Sequence, residues 1–227
     1  MDFMNFLFTS WSSSCFSSKL NNRVVYIAHG NFCHRIRSVD GQVTCTEVPE
    51  LASTQEEADT KMMLHAKHAS EQGYQNIIIK SSNTDVEVLS CFFQSQIQST
   101  VFSSSGTRQR SRLISIPSII NHVGQDMCRA LIGMHAFTGC DSVSAFSGKG
   151  KTKAFKLVTS EPSICNVLHR LGDDLSVPQE LANELEECIC KLYQSHSSCK
   201  DVNGIRYRFF CKMKSPQSHK LPPTKYS

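Results

Sequence analysis

The chain has 227 residues, 40% of them hydrophobic, and a formal net charge of +4. This length suits one hydrophobic core with flanking segments rather than two equal domains, and the mild positive charge is compatible with a nucleic-acid partner. The eleven cysteines are scattered and lie mostly in apolar runs, which favours reduced, buried thiols and a nuclear or cytoplasmic, intracellular location. We expect neither a secretory signal nor a membrane span, since no basic segment precedes the first apolar patch and no apolar run reaches ~18 residues.

The first third of the sequence predicts strands followed by a helix. Residues 1–18 are serine-rich, and we expect them to be poorly ordered or the remnant of a helix. Residues 23–28, RVVYIA, are apolar on both faces, as in a buried strand of a parallel sheet. Segments 33–37 and 42–48 alternate around Asp40-Gly41, which is a hairpin signature. Thr54 and Glu57 have the spacing of a capping box, which predicts a helix over 54–72.

The central part alternates strands and helices. Residues 75–80, QNIIIK, predict a second buried strand, and a polar turn at 81–84 leads to a helix that begins near Asp85. Further strands are predicted at 100–104 and 112–116, and helices at 117–123 and from Asp126 to about 137. A strand, a polar turn, an acid and then a helix is the order in which open α/β sheets place sites at the carboxyl ends of strands.

The predicted fold class is therefore α/β, with a mostly parallel central sheet flanked by helices and a helical C-terminal part. We divide the chain into a poorly ordered segment at 1–18, an α/β domain at 19–160, a helical extension at 161–212 and a disordered tail at 213–227. The tail is assigned from its three prolines and its lack of acids.

Candidate catalytic carboxylates fall in three segments next to predicted strand ends or helix starts: Glu56, Glu57 and Asp59, then Asp85 and Glu87, then Asp141. Oxygen ligands from separate elements are what Mg²⁺ or Mn²⁺ needs, and two such ions can promote phosphodiester hydrolysis. The alternative is that these acids only cap helices or complement their dipoles.

A glycine and lysine turn at 148–153 is the candidate anion-binding segment. Its residues are Gly148, Lys149, Gly150, Lys151 and Lys153. Glycines let backbone N–H groups approach an anion closely and lysines supply point charges, so the turn suits a phosphate backbone, although a solvated surface turn is the alternative. It does not match a nucleotide-binding GxxxxGK[ST] loop, because Ala145 occupies the position of the first glycine.

Other constellations are weaker. Cys188, Cys190, His196 and Cys199 could form a zinc site, but cysteines two apart on a helix face different directions, so buried thiols are the default reading. His135 lies six residues before Asp141 and is left unassigned. Cys140 as a nucleophile has no partner that can be located from the sequence.

Three short motifs occur in an order that resembles a known superfamily. Glu57-Ala58-Asp59 begins a helix, a strand runs into Asn83-Thr84-Asp85, and Thr138-Gly139-Cys140-Asp141 leads into the glycine and lysine turn. This order resembles the PIN-like and flap-endonuclease nucleases. The EEADT, TDV and HAFTGCDSVSAFSGKGK blocks are more closely similar to a group of transposon-associated animal proteins with such a domain, over roughly residues 20 to 225.

The resemblance implies a set of site residues. Glu57, Asp59, Asp85 and Asp141 would be catalytic, and together with Asn83 they would hold Mg²⁺ or Mn²⁺. Lys149, Lys151 and Lys153, with Gly148 and Gly150, would grip the phosphates of a nucleic acid, DNA in preference to RNA, through the start of a helix, two-turn, helix element at 147–156.

Two departures from the superfamily pattern bear on activity. Asn83 stands where the superfamily has an acid, and no early acid precedes Arg23, so the domain is interpreted as incomplete at its amino end, with the carboxyl end as a second candidate truncation. Three readings follow: a metal-dependent nuclease, a degenerate domain that binds nucleic acid through its lysines without cutting it, and a protein-interaction domain. The departures favour the second.

Overall fold

The strands of the described residues all lie before residue 116, and helices make up most of the second half of the chain. The computed structural model describes residues 6, 9–11, 13, 16–21, 23–106, 110–139, 144–194, 200–214 and 217–224. The strands among these residues are β1 Val24–His29, β2 Phe32–Val39, β3 Gln42–Glu47, β4 Asn76–Lys80, β5 Thr100–Ser105 and β6 Arg112–Ser115.

Short 3-10 turns lie at Pro49–Leu51, Gln94–Gln96 and Ser218–Lys220, and the α-helices of the described residues are numbered in chain order. They are α1 Ser17–Leu20, α2 Ala58–Glu71, α3 Thr84–Phe93, α4 Ile116–Val123, α5 Gln125–Phe137, α6 Lys151–Ser160, α7 Pro162–His169, α8 Gln179–Tyr193 and α9 Val202–Lys212. No described helix is long and apolar enough to cross a membrane.

The first sheet is an antiparallel meander of β1, β2 and β3. The predicted hairpin is confirmed, because Val39 pairs with Gln42 around Asp40 and Gly41, whose φ angles of 51° and 77° suit a two-residue turn. The expectation of a parallel sheet around residues 23–28 is wrong. β1 pairs with β2 in antiparallel register through another two-residue connection, which is too short for a parallel crossover.

The second sheet has the order β4, β5, β6. β4 and β5 are parallel, from Asn76 opposite Thr100 to Lys80 opposite Ser104, with α3 in the crossover between them. β5 and β6 are antiparallel. The chain is therefore α/β as predicted, but a mostly parallel central sheet is not shown, since three of the four strand pairings in the described residues are antiparallel.

One face of the second sheet is covered and the other is open. Ile79, Val101 and Ser103 are buried beneath the helices, in a core with Met63 of α2 and Val86 of α3. The alternate positions point outward, as the two-residue period of a strand requires. Ile78 is 62% exposed and Leu113 is 61% exposed.

The helices of the second half pack around a separate core, which includes Met134 of α5, Val158 of α6, Leu168 of α7 and Leu192 of α8. Helices α5 and α7 approach each other closely, since a Cβ placed on Gly133 would overlap the carbonyl oxygen of Leu168. Glycine therefore sets the spacing of these two helices.

The described part of the C-terminal segment, residues 217–224, lies within the tail for which we expected disorder. It contacts α9, because the Arg206 guanidinium donates to the carbonyl oxygen of Pro222 and to Ser218 Oγ. Leu221 is buried there. Residues 215, 216 and 225–227 lie outside the described part of the chain.

Candidate functional site

The start of α2 and the turn between β4 and α3 meet at one edge of the second sheet. Asn83 caps α3, since its Oδ1 accepts from the backbone N–H of Asp85 at 3.1 Å. Its Nδ2 donates to Asp59 Oδ2 at 2.9 Å. Three of the predicted site residues, Asp59, Asn83 and Asp85, are thus brought together. The sequence left open that Asp85 only caps α3, but the residue that caps this helix is Asn83.

Glu57 does not join this group among the described residues. We expected Glu57 to complete a capping box in a helix from 54, but α2 begins at Ala58 with Glu57 as its N-cap residue and without a side-chain capping bond in the described structure. Its carbonyl oxygen accepts from the Thr60 hydroxyl at 3.0 Å, and its side chain is exposed. Glu87 lies one turn into α3 and accepts from the buried Ser103 hydroxyl at 3.1 Å.

Asp85 lies next to a histidine that the sequence did not place there. Its Oδ1 lies 3.1 Å from His135 Nε2, in the last turn of α5. The two atoms are in close polar contact, although their alignment falls short of hydrogen-bond geometry. On the other side of the imidazole ring, Lys151 Nζ lies 2.9 Å from His135 Nδ1. The same ammonium donates to the carbonyl oxygen of Gly139 at 2.8 Å.

This contact decides the tautomer of His135. A lysine ammonium has donors only, so Nδ1 must accept from Lys151, and the proton of the neutral ring then lies on Nε2, facing Asp85. Asp85, His135 and Lys151 form a linked network across α3, α5 and α6. Lys151, predicted to bind phosphate, is therefore directed toward the protein.

Gly139 allows the chain to leave α5 sharply. Its φ angle is 99°, and an added Cβ would lie 2.7 Å from the Cα of Ala145, so a side chain would be strained and would clash. Glycine is therefore required at this exit from α5. Residues 140–143, which include Cys140 and Asp141, lie outside the described part of the chain.

The other two lysines of the glycine and lysine turn remain accessible. Gly150 caps α6, whose first turn carries no acid. Lys149 Nζ lies 4.8 Å from the centre of the Tyr193 ring, a cation–π contact. Partial burial, followed by the neighbouring ammonium of Lys153, lowers the pKa of Lys149. Two cations are thus held close together at the amino end of an α-helix.

The fit of a divalent ion can be tested on these residues. In the described structure no group of three or more His, Cys, Asp or Glu side chains is arranged to hold a metal ion. The Asn83 amide hydrogen faces Asp59, and His135 already lies beside Asp85. The described residues therefore do not by themselves make a metal site.

The described residues also do not complete the alternative zinc site that was considered for Cys188, Cys190, His196 and Cys199. Cys188 and Cys190 are both buried but belong to different clusters, as expected for cysteines two apart on a helix. His196 and Cys199 lie outside the described part of the chain.

Comparison of the chain with protein-family models, with curated proteins and with solved structures found no match. Fold and site define an α/β chain in which an acidic edge, Asp59 and Asp85, is linked through His135 and Lys151 to the lysine-rich start of α6.

Proposed function

We propose that this chain is a degenerate PIN-like or flap-endonuclease-like domain that binds the phosphate backbone of a nucleic acid. The observation that carries the proposal is the placement of Lys149 and Lys153 on either side of Gly150 at the amino end of α6, whose first turn carries no acid. The pKa of Lys149 is lowered first by partial burial and second by Lys153, which agrees with their closeness. Two ammonium groups held together repel each other, and an anion between them relieves that repulsion. The helix start adds unpaired backbone N–H groups and a favourable dipole.

The partner is proposed to be DNA or RNA, with DNA preferred on the resemblance of the motifs. Lysines recognise phosphates as point charges and carry no base information, so binding would be independent of sequence. Lys151 contributes indirectly, because its bonds to His135 and Gly139 hold the end of α5 against the start of α6.

The test is a titration of fluorescently labelled DNA and RNA with the wild-type chain and with the Lys149→Ala/Lys153→Ala double variant, by anisotropy at several salt concentrations. The matched control is Lys67→Ala/Lys156→Ala, which removes the same charge from exposed lysines of α2 and α6. Each phosphate contact contributes ~0.7–0.9 to the slope of log K against log salt, so losing two contacts should lower the slope by ~1.5. Equal slopes for the two double variants would refute the assigned site.

Hydrolysis is the second candidate function, and the meeting of Asp59, Asn83 and Asp85 favours it. A further acid would have to complete a Mg²⁺ or Mn²⁺ site, and Asp141 is the residue that the resemblance offers. The test is cleavage of labelled flap, single-stranded and duplex DNA with Mn²⁺, with Asp141→Ala and a control variant of an exposed loop acid, Asp173→Ala. Cleavage lost only in Asp141→Ala would establish a nuclease.

The protein-interaction alternative predicts a different result. A chain whose acids only cap helices would show neither cleavage nor salt-dependent binding to any of the nucleic acids. That outcome would reject both nucleic-acid functions together.

A further inference from the structure

Helix α9 carries two aromatic side chains on its solvent side. Tyr207 is 69% exposed and Phe210 is 49% exposed, and their spacing of three residues places them on one face. The opposite side of the helix is already used, since Val202 and Ile205 are buried in a core with Tyr193. The two outer rings are therefore not needed to hold the helix in place.

A groove lies beside these rings. Residues 217–224 form its far wall, which the Arg206 guanidinium holds against α9 through Pro222 and Ser218. Leu221 closes the floor and is only 8% exposed. The groove is open to solvent and has a volume of about 420 Å³, which is within the range of sites that hold small organic groups.

The chain segment that lines the groove carries charges of one sign. The sequence from 202 to 224 contains five cations, Arg206, Arg208, Lys212, Lys214 and Lys220, and no acid. Two acids lie at the start of α9 and are used there as caps. Asp201 accepts from the backbone N–H groups of Asn203 and Gly204 at 3.2 and 2.9 Å, and Glu186 of α8 accepts from the backbone N–H of Val202 at 3.1 Å. The positive charge of this segment favours a negatively charged partner.

We propose that this surface, formed by Tyr207, Phe210 and the wall 217–224, binds single-stranded nucleic acid by stacking bases on the two rings. Exposed rings among cations are the combination that holds single strands, because each ring takes a base and the flanking charges follow the phosphates. The inference rests on the proposed function for the class of ligand, but it uses a different surface and a different part of the nucleotide.

Other occupants fit this surface less well. A second copy would bring the same positive charges face to face, which is repulsive. An anionic membrane would need the apolar side of an amphipathic helix, and that side of α9 is packed into the protein. A duplex has its bases already stacked on one another, so single strands are the form that offers them to the rings.

The test compares two labelled strands of equal length, oligothymidylate and an abasic strand with the same number of phosphates. Tyr207→Ala and Phe210→Ala should each weaken binding to oligothymidylate about 5-fold or more, since one stacked base is worth ~1–3 kcal/mol. Binding to the abasic strand should be nearly unchanged. The matched controls are Tyr74→Ala and Phe32→Ala, which remove rings that are 56% and 54% exposed elsewhere.

Tyr207→Phe separates the ring from the hydroxyl, which contacts the Cys211 thiol. We expect it to bind like the wild type, because stacking uses only the ring. Far-UV circular dichroism melts of all variants check that the fold is kept. Equal losses on both strands, or no loss beyond that of the controls, would overturn the inference.

The same titrations separate this inference from the proposed function. If the Lys149→Ala/Lys153→Ala variant behaves like its control while the ring variants lose affinity for oligothymidylate alone, the backbone site is wrong and the stacking surface stands. The reverse pattern rejects the stacking surface only. Binding of wild type, but not of Tyr207→Ala, to phosphatidylserine vesicles with no effect on oligothymidylate would assign the surface to membranes and also overturn the inference.

Discussion

Replacing Asn83 by aspartate changes one atom at the acidic edge. The carboxylate keeps the α3 cap, because aspartate caps helices as well as asparagine does. It also places a negative oxygen where the amide nitrogen now donates to Asp59 at 2.9 Å. A favourable contact becomes a repulsive one without any change in side-chain size.

The size of the effect follows from these two terms. A hydrogen bond to a charged group contributes ~1.5–3 kcal/mol, at the lower end here because the pair is solvent-exposed. Repulsion of two charges about 4 Å apart in water adds ~1 kcal/mol. We expect Asn83→Asp to lower the free energy of unfolding by ~2 kcal/mol at neutral pH, or the Tm by ~4–8 °C for a chain of this length.

Thermal and urea denaturation followed by circular dichroism would measure the loss. Asn83→Ser is the control, since serine also caps the helix but adds no charge, and it should lose only the hydrogen-bond part. The exchange variant Asp59→Asn/Asn83→Asp restores an amide facing a carboxylate and should recover most of the stability. If Asn83→Asp is as stable as Asn83→Ser, the repulsion argument is refuted.

The same variants test the metal reading. A divalent cation between two carboxylates cancels their repulsion, so Mn²⁺ should raise the Tm of Asn83→Asp more than that of the wild type or of the exchange variant. Equal shifts in all three proteins would mean that this edge does not bind a metal ion even when the missing charge is supplied.

Three further predictions concern packing, thiols and pH. Gly133→Ala should lower the free energy of unfolding by ~1–3 kcal/mol in urea denaturation, because the added methyl group overlaps the α7 backbone. This loss should exceed the gain from the better helix propensity of alanine. An unchanged urea midpoint would contradict the close approach of α5 and α7. Burial raises the pKa of the Cys91 and Cys188 thiols to about 12. Iodoacetamide at about pH 8 should therefore label the exposed Cys211 well before either of them. If mass spectrometry detected early labelling of Cys91 or Cys188, their burial would be refuted. Because the pKa of Lys149 is lowered, Lys149 loses its positive charge at lower pH than an ordinary lysine, and nucleic-acid affinity should fall as pH rises through that pKa. The affinity of a Lys149→Arg variant should not change over the same pH range. Identical pH profiles of affinity for the two proteins would argue against a role for this charge.

The acidic edge was partly predictable from local chain order. A strand that ends in a polar turn and continues as a helix brings its turn residues to the carboxyl edge of a sheet, which is where Asn83 and Asp85 lie. Asp59 joins them because α2 precedes β4 and starts at the same edge. The capping-box spacing predicted the start of α2 incorrectly. Glu57 is the N-cap residue and has an extended backbone, so the helix begins only at Ala58.

The contacts of His135 and Lys151 were not predictable, because they depend on long-range packing. His135 meets Asp85 only after α5 packs on α3, and Lys151 meets His135 only after the chain turns at Gly139. The available signal was that His135 lies in the last turn of a helix, where a side chain can reach beyond the helix end. The antiparallel first sheet was missed for the opposite reason: the apolar strand at 23–28 suggested burial on both faces, whereas its short turns, which the sequence contains, determine the pairing.

The two sheets differ in how far apart their partners lie along the chain, and this should order their formation during folding. β1, β2 and β3 pair across two-residue turns, so each pairing needs only a small loop to close. β4 and β5 pair in parallel only after the whole of α3 has bridged them. Nascent chains should therefore acquire the meander within microseconds of collapse, while protection of the β4 and β5 amides from hydrogen exchange should appear later, together with the docking of α3.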